Sequence, residues 1–205
     1  MKDQAATVRG RPVTAARVDS FLRSAVPARQ ALTPSAERRR RRWATQVVVA
    51  DELARRACAE RGLTIPDEVS PAHLLAVAET DVADLGSIVA AALAHSPAAR
   101  LLLADLEARE EVPEAAVRDY HDRNRDRYLT PDALRRGVDP YGRAAAPSDF
   151  LPYPAVREGI ARELRRAAGR RAFFDWFDQA RAEVTCAAGH EHPGDPSHPD
   201  HEHRH

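Results

Sequence analysis

The strongest constraint on this chain is one uninterrupted stretch, Ser35 to Arg61. Trp43, Val47, Ala50, Leu53 and Ala57 recur along it at helical spacing, with no proline or glycine between them. Such a stripe specifies one long amphipathic helix that needs neighbours to cover its apolar face. Gly62 stands where a C′ glycine belongs, and Pro66 follows shortly after.

Prolines and capping residues cut the rest into shorter helices. Thr14 precedes a helix carrying Val18, Phe21 and Leu22, and Pro27 and Pro34 bracket a loop. Ser70-Pro71 opens a short helix, and Asp81 to Ala94 and Pro97 to Arg109 give two more, separated at Ser96-Pro97. Pro113 starts another through about Arg125, and the helical period returns from Pro154 to Val184. Gly159 and Gly169 lie inside that last helix, each at a cost of about 1 kcal/mol relative to Ala, so packing must hold it. Ala6 to Val13 reads as a short extended segment with a turn at Gly10. Residues 129–152 are rich in Pro and Gly and read as an irregular loop. The expected fold is all-α: a helical domain over residues 1–185, completed by a long C-terminal helix, and an irregular His/Pro-rich tail over 186–205.

Charge is abundant but balanced, 31 basic against 31 acidic residues, which argues against a nucleic-acid partner. Arg38 to Arg42 place five cations at the start of the long helix, against its dipole, so acidic partners are expected there. Two cysteines, Cys58 and Cys186, make no disulfide framework. The start MKDQAATVRG has no apolar core of a signal peptide, and no run approaches the length of a membrane span. A cytoplasmic protein with no membrane partner is expected.

The order of four segments resembles the SurA/PrsA family of peptide-binding foldases. VRGRPVTAARVDSFL is similar to the family's opening strand, turn and first helix, and RRWATQVVVADELARRACAERGL to its long second helix. VPEAAVRDYHDRNRDRYLTP resembles the segment that leads into the family's parvulin isomerase domain. YPAVREGIARELRRAAGRRAFFDWFDQARAEV resembles the C-terminal helix that returns to the N-terminal lobe. The resemblance implies a SurA N-terminal-domain-like helical bundle enclosing an apolar groove for unfolded chain segments. Val47, Leu53, Leu102, Ile160 and Phe174 are the candidate liners, although core packing explains them equally well. The chain departs from the family between Pro131 and Tyr153, where no isomerase domain fits, and the paired parvulin histidines have no counterpart. Isomerase activity is therefore not implied. Parvulin-less proteins of this kind, with a His-rich end, occur in actinobacteria near aromatic polyketide pathways, sometimes labelled malonyl transacylases. That activity needs a serine in G-H-S-x-G, and the nearest string, Gly189 to Gly194, has none.

Six of the nine histidines fall in the last sixteen residues: His190, His192, His198, His201, His203 and His205. Cys186 lies just upstream, and Glu191, Asp195, Asp200 and Glu202 are interleaved. Imidazole and thiolate at this density suit a divalent transition metal such as Zn, Cu, Ni or Fe. The spacing matches no named zinc-finger pattern. A folded tail holding one metal, a flexible tail that buffers metal, and a solvated tail with no metal role all remain open.

Two functions follow as expectations. The first is a chaperone-like module that binds a polypeptide or partner protein, without isomerisation, and carries a metal on its tail. The second is a metal-dependent enzyme or accessory factor of aromatic polyketide biosynthesis, acting on a small hydrophobic metabolite. No catalytic residue is identifiable for either.

Overall fold

The chain opens with a hairpin, β1 (Gln4–Val8) and β2 (Arg11–Thr14), joined by Arg9 and Gly10. Both turn residues have positive φ, 46° and 79°, the conformation that two-residue hairpin loops require and that glycine adopts without strain. The computed structural model describes residues 3–24, 33–66 and 88–191. The short helix expected at Ser70-Pro71, the loop at Pro27 and the start of the helix expected from Asp81 lie outside the described residues.

The chain forms two compact units, residues 1–104 with 173–205, and residues 105–172. In the first unit, α1 (Ala15–Ser24) begins where the Thr14 hydroxyl accepts the Arg17 amide, and α2 (Pro34–Glu60) begins where the Thr33 hydroxyl accepts the Ala36 amide. α2 ends with Leu63 N–H on the Cys58 carbonyl and Gly62 N–H on that of Ala59, the pattern of a Schellman stop. α3 (Ile88–His95) and α4 (Pro97–Arg109) follow, bent by 102° at Ser96. α2 packs on α1, α3 and β1, and its buried face runs through Trp43, Ala44, Val47, Ala50, Leu53, Ala54, Ala57 and Cys58. Cys58 is fully buried, and its thiol donates to the Ala98 carbonyl.

The second unit begins in the last turn of α4 and contains α5 (Glu114–Arg123), α6 (Pro131–Arg135) and most of α7 (Tyr153–Arg181). Its core is Val117, Tyr128 and Ile160, with Tyr120, Tyr153, Val156 and Leu164 packed around them. The loop expected over 129–152 is closed at its base: Leu129 and Phe150 form an antiparallel bridge, and Leu151 N–H reaches the Tyr128 carbonyl at 2.7 Å. Inside it, buried Asp149 accepts the Ala146 amide and pairs with Arg136, and these two bonds hold its carboxyl below the usual range. Gly169 answers what holds the glycine-interrupted helix. A β-carbon there would stand 2.7 Å from the Glu107 Cα, so α7 and the end of α4 meet backbone to backbone.

The all-α expectation needs one correction. The chain is mostly helical, but it also carries a three-stranded antiparallel sheet ordered β2-β1-β3. The third strand, β3 (Val184–Cys186), lies where the helical period was expected to reach Val184. α7 stops at Arg181, and Val8, Thr7 and Ala6 of β1 pair with Val184, Thr185 and Cys186. A three-residue strand forms because a partner edge is available, a non-local term that local periodicity cannot register. β1 is thus central, flanked by chain from both ends of the sequence, with Ala5, Ala6 and Val8 fully buried. No described single helix is long and apolar enough to cross a membrane.

Candidate functional site

The tail's first residues are set on α2 by the strand that precedes them. After β3, Ala187 N–H binds the Ala5 carbonyl and a turn at Gly189 reverses the chain, with the Glu191 carboxylate accepting the Gly189 amide. This returns Cys186, His190 and Glu191 to the α2 turn that holds Arg42, Thr45 and Gln46. The Gln46 amide donates to the His190 carbonyl at 3.2 Å and to Cys186 Sγ at 3.5 Å. Glu191 lies 4.0 Å from the Arg42 guanidinium.

Thr45 fixes the His190 ring. It is fully buried, its hydroxyl donates to the Arg41 carbonyl at 2.9 Å, and His190 Nδ1 stands 2.8 Å from the same oxygen. Burial, then the nearby Arg41 cation, lowers the His190 pKa against the opposing pull of Glu191 and Asp19.

Of the residues expected to bind metal, Cys186 and His190 are brought to one helix turn. His192, His198, His201, His203 and His205 lie outside the described residues. Among the described residues no three His, Cys, Asp or Glu side chains form a metal-binding group. The arginine run finds acidic partners: Arg40 pairs with Glu37, Arg41 with Asp19 and Arg42 with Glu191.

A second feature of the first unit is a cleft of about 250 Å³ among α1, α2 and the α3–α4 corner. α1 contributes Arg17, Ser20, Phe21 and Ser24, which share one face at helical spacing, and α2 contributes Val47, Val48, Asp51 and Arg55. His95 and Ser96 complete it from the corner, with the His95 ring edge-on to Phe21 at 5.3 Å between centroids. Asp51 organises the polar side. It accepts from Arg17 at 2.7 Å, Arg55 at 2.8 Å and the Ser96 hydroxyl at 2.6 Å. The Ser96 hydroxyl in turn accepts the Ala99 amide and so starts α4.

Glu52 takes the other Arg17 nitrogen and Arg56. Burial alone would raise the Glu52 pKa, but the hydrogen bonds from Arg17 and Arg56 outweigh it, and the carboxyl stays ionised. Burial, then Arg100, lowers the His95 pKa, so the ring is neutral at pH 7, and its Nε2 has no hydrogen-bond partner among the described residues. The Asp51 and Glu52 carboxylates are thus occupied by arginine or hydroxyl donors. A general base must be free to take a proton, so neither of these two carboxylates is placed to serve as one.

The five candidate groove residues separate. Val47, Leu53 and Leu102 are buried in the first unit, Ile160 is buried in the second, and Phe174 is 45% exposed on α7. Of these, only Val47 is among the residues lining the cleft. Sequence reasoning missed Asp51, Ser96, Thr45 and Gln46. The signal was present in Thr45 and Gln46, two polar residues inside the apolar run Trp43 to Ala50, and in the helix-starting pair Ser96-Pro97.

His121, outside both sites, stacks on Tyr128 at 5.0 Å between ring centroids and meets Tyr153 edge-on. Comparison with protein-family models, curated proteins and solved structures finds no match to this chain.

Proposed function

We propose that the chain is a cytoplasmic, chaperone-like module that binds an extended segment of polypeptide through the α1–α2 cleft, without isomerisation. The observation that carries this is the cleft itself: an apolar wall of Phe21, Val47 and Val48 beside a rim of charges already paired with one another. Its volume of about 250 Å³ falls below the range of roughly 300–1,000 Å³ usual for whole small-molecule ligands. One aliphatic or aromatic side chain of a longer segment suits such a space, with the rim serines offering hydrogen bonds to the segment's backbone.

The resemblance to SurA/PrsA-type foldases points the same way. That resemblance rests on the sequence segments; the fold they form is mostly helical with a three-stranded antiparallel sheet and is not SurA-like.

Ser20→Trp tests this reading. Ser20 is exposed on the rim and takes no part in the Asp51 network, so an indole there fills the cleft without entering the core. With a fluorescently labelled unfolded peptide containing a single Leu or Phe anchor, anisotropy titration should show affinity reduced at least about tenfold, the scale of losing one anchor. The thermal unfolding midpoint should be unchanged. Equal peptide binding by the variant and the parent chain would remove the cleft from the account.

A further inference from the structure

We propose that the α1–α2 cleft selects the free C-terminus of a polypeptide: an apolar last residue lies against Phe21, Val47 and Val48, and Arg55 binds its α-carboxylate. This rests on the reading of the cleft as a peptide site and names the part of the peptide that it takes.

The charges at the rim do not balance. Arg17, Arg55 and Arg56 face two carboxylates, Asp51 and Glu52, so the network carries one cation in excess. Arg17 commits both terminal nitrogens, Nη1 to Glu52 and Nη2 to Asp51. Arg55 gives Asp51 only Nε, and its two terminal nitrogens have no hydrogen-bond partner among the described residues. Its side chain is 47% exposed. The Nη1–Nη2 edge of a guanidinium presents two parallel N–H groups at the spacing of the two oxygens of one carboxylate.

Asp51 also draws two cations together. Arg17 Nη2 and Arg55 Nε donate to the same atom, Asp51 Oδ2, at 2.7 and 2.8 Å, while Oδ1 accepts the Ser96 hydroxyl. Two guanidinium groups on one oxygen repel each other, and a second anion at the rim relieves that repulsion.

The apolar wall lies in line with this fork. Val47, Asp51 and Arg55 follow one another at i, i+4 and i+8 on α2, and the Arg55 side chain reaches back one turn to Asp51, toward Val47. Its head group is therefore about one turn, roughly 6 Å along the axis, from the valine wall. A single terminal residue bridges that gap with its side chain at one end and its carboxylate at the other. An internal residue brings a neutral amide to the same place, and the cleft of about 250 Å³ leaves little room for more.

The probes are two N-terminally labelled, unfolded peptides ending in the same Leu or Phe, one as the free acid and one as the amide, titrated by anisotropy into the full chain. The acid should bind at least about tenfold more tightly, the scale of a charge-assisted pair. Arg55→Met keeps the apolar stem and removes the fork, and it should bring the ratio of the two affinities close to one. Arg55 is exposed and makes one i, i+4 pair, so the variant folds. Equal affinity for acid and amide, both lost in Ser20→Trp, would overturn the terminal assignment and leave the cleft a peptide site. A preference for the acid that survives Arg55→Met would also overturn it. Failure of both peptides to bind, with or without uptake of decanoate as a bare apolar carboxylate, would overturn this assignment and the peptide reading together.

Discussion

Leu102→Ala is expected to lower the unfolding free energy by about 2–5 kcal/mol, the range for removing a fully buried leucine and leaving its cavity. Leu102 lies on α4 with no exposed surface, beside buried Ala98, Ala99 and Leu103 in the sequence. Urea unfolding followed by far-ultraviolet circular dichroism gives the value. The result also decides between two roles for this residue. A core leucine loses stability on truncation, whereas a groove leucine loses peptide affinity at nearly constant stability. A loss below about 1 kcal/mol would return Leu102 to the groove.

Two glycine-to-alanine substitutions on α7 should move stability in opposite directions. At Gly159 a β-carbon meets nothing within 4 Å, so alanine gains helix propensity at no steric cost and should stabilise by about 0.5–1 kcal/mol. At Gly169 the same atom would press on the Glu107 side chain and stand 2.7 Å from its Cα. A side chain can rotate away, but backbone yields only if the helices separate. Overpacking of this kind costs about 1–3 kcal/mol, enough to exceed the propensity gain. Differential scanning calorimetry of both variants reads the two signs in one experiment. A stabilising Gly169→Ala would mean that the close approach between Gly169 and Glu107 is not present in solution.

The two glycines show where sequence reading stops. Both were legible as weak points of a helix, but which one packs against another backbone depends on a contact between residues 107 and 169. The start signals were legible wherever they were local: Thr14 caps α1, Pro97 opens α4, and Gly10 turns the hairpin. The stop after α2 at Gly62 was equally local. β3 was not legible, since Val184 continues the spacing of Phe174 and Phe177 and only pairing with β1 makes it extended. Nor was the Leu129–Phe150 bridge that closes the loop. Cys186 and His190 were recognisable as candidate ligands by residue type. The buried Thr45 hydroxyl and the Gln46 amide that orient them became visible only once α2 and the returning strand were placed together.

The cleft shows the same division. Its apolar wall follows from the periodicity of α1 and α2. The Asp51 hub joins α1 to Ser96, 45 positions along the chain from Asp51, and local pattern carries no sign of it.

The account depends most on the return of the C-terminal segment to β1, which brings Cys186 and His190 to α2. Ala6 and Cys186 are register partners. They lie between the hydrogen-bonded pairs Ala5–Ala187 and Arg9–Glu183, one residue from the first and three from the second, at a non-hydrogen-bonded position of the ladder. Cα atoms at such positions are about 4.5 Å apart, within the span a disulfide bridges. The native partner thiol is already in place, and Cys58, the other cysteine, is fully buried on α2. The measurement is mild oxidation of Ala6→Cys at low protein concentration, read by peptide mass spectrometry. The account predicts an intramolecular bridge between position 6 and Cys186 in most molecules. Free thiols at both positions in a folded protein, or bridges formed only between molecules, would contradict it.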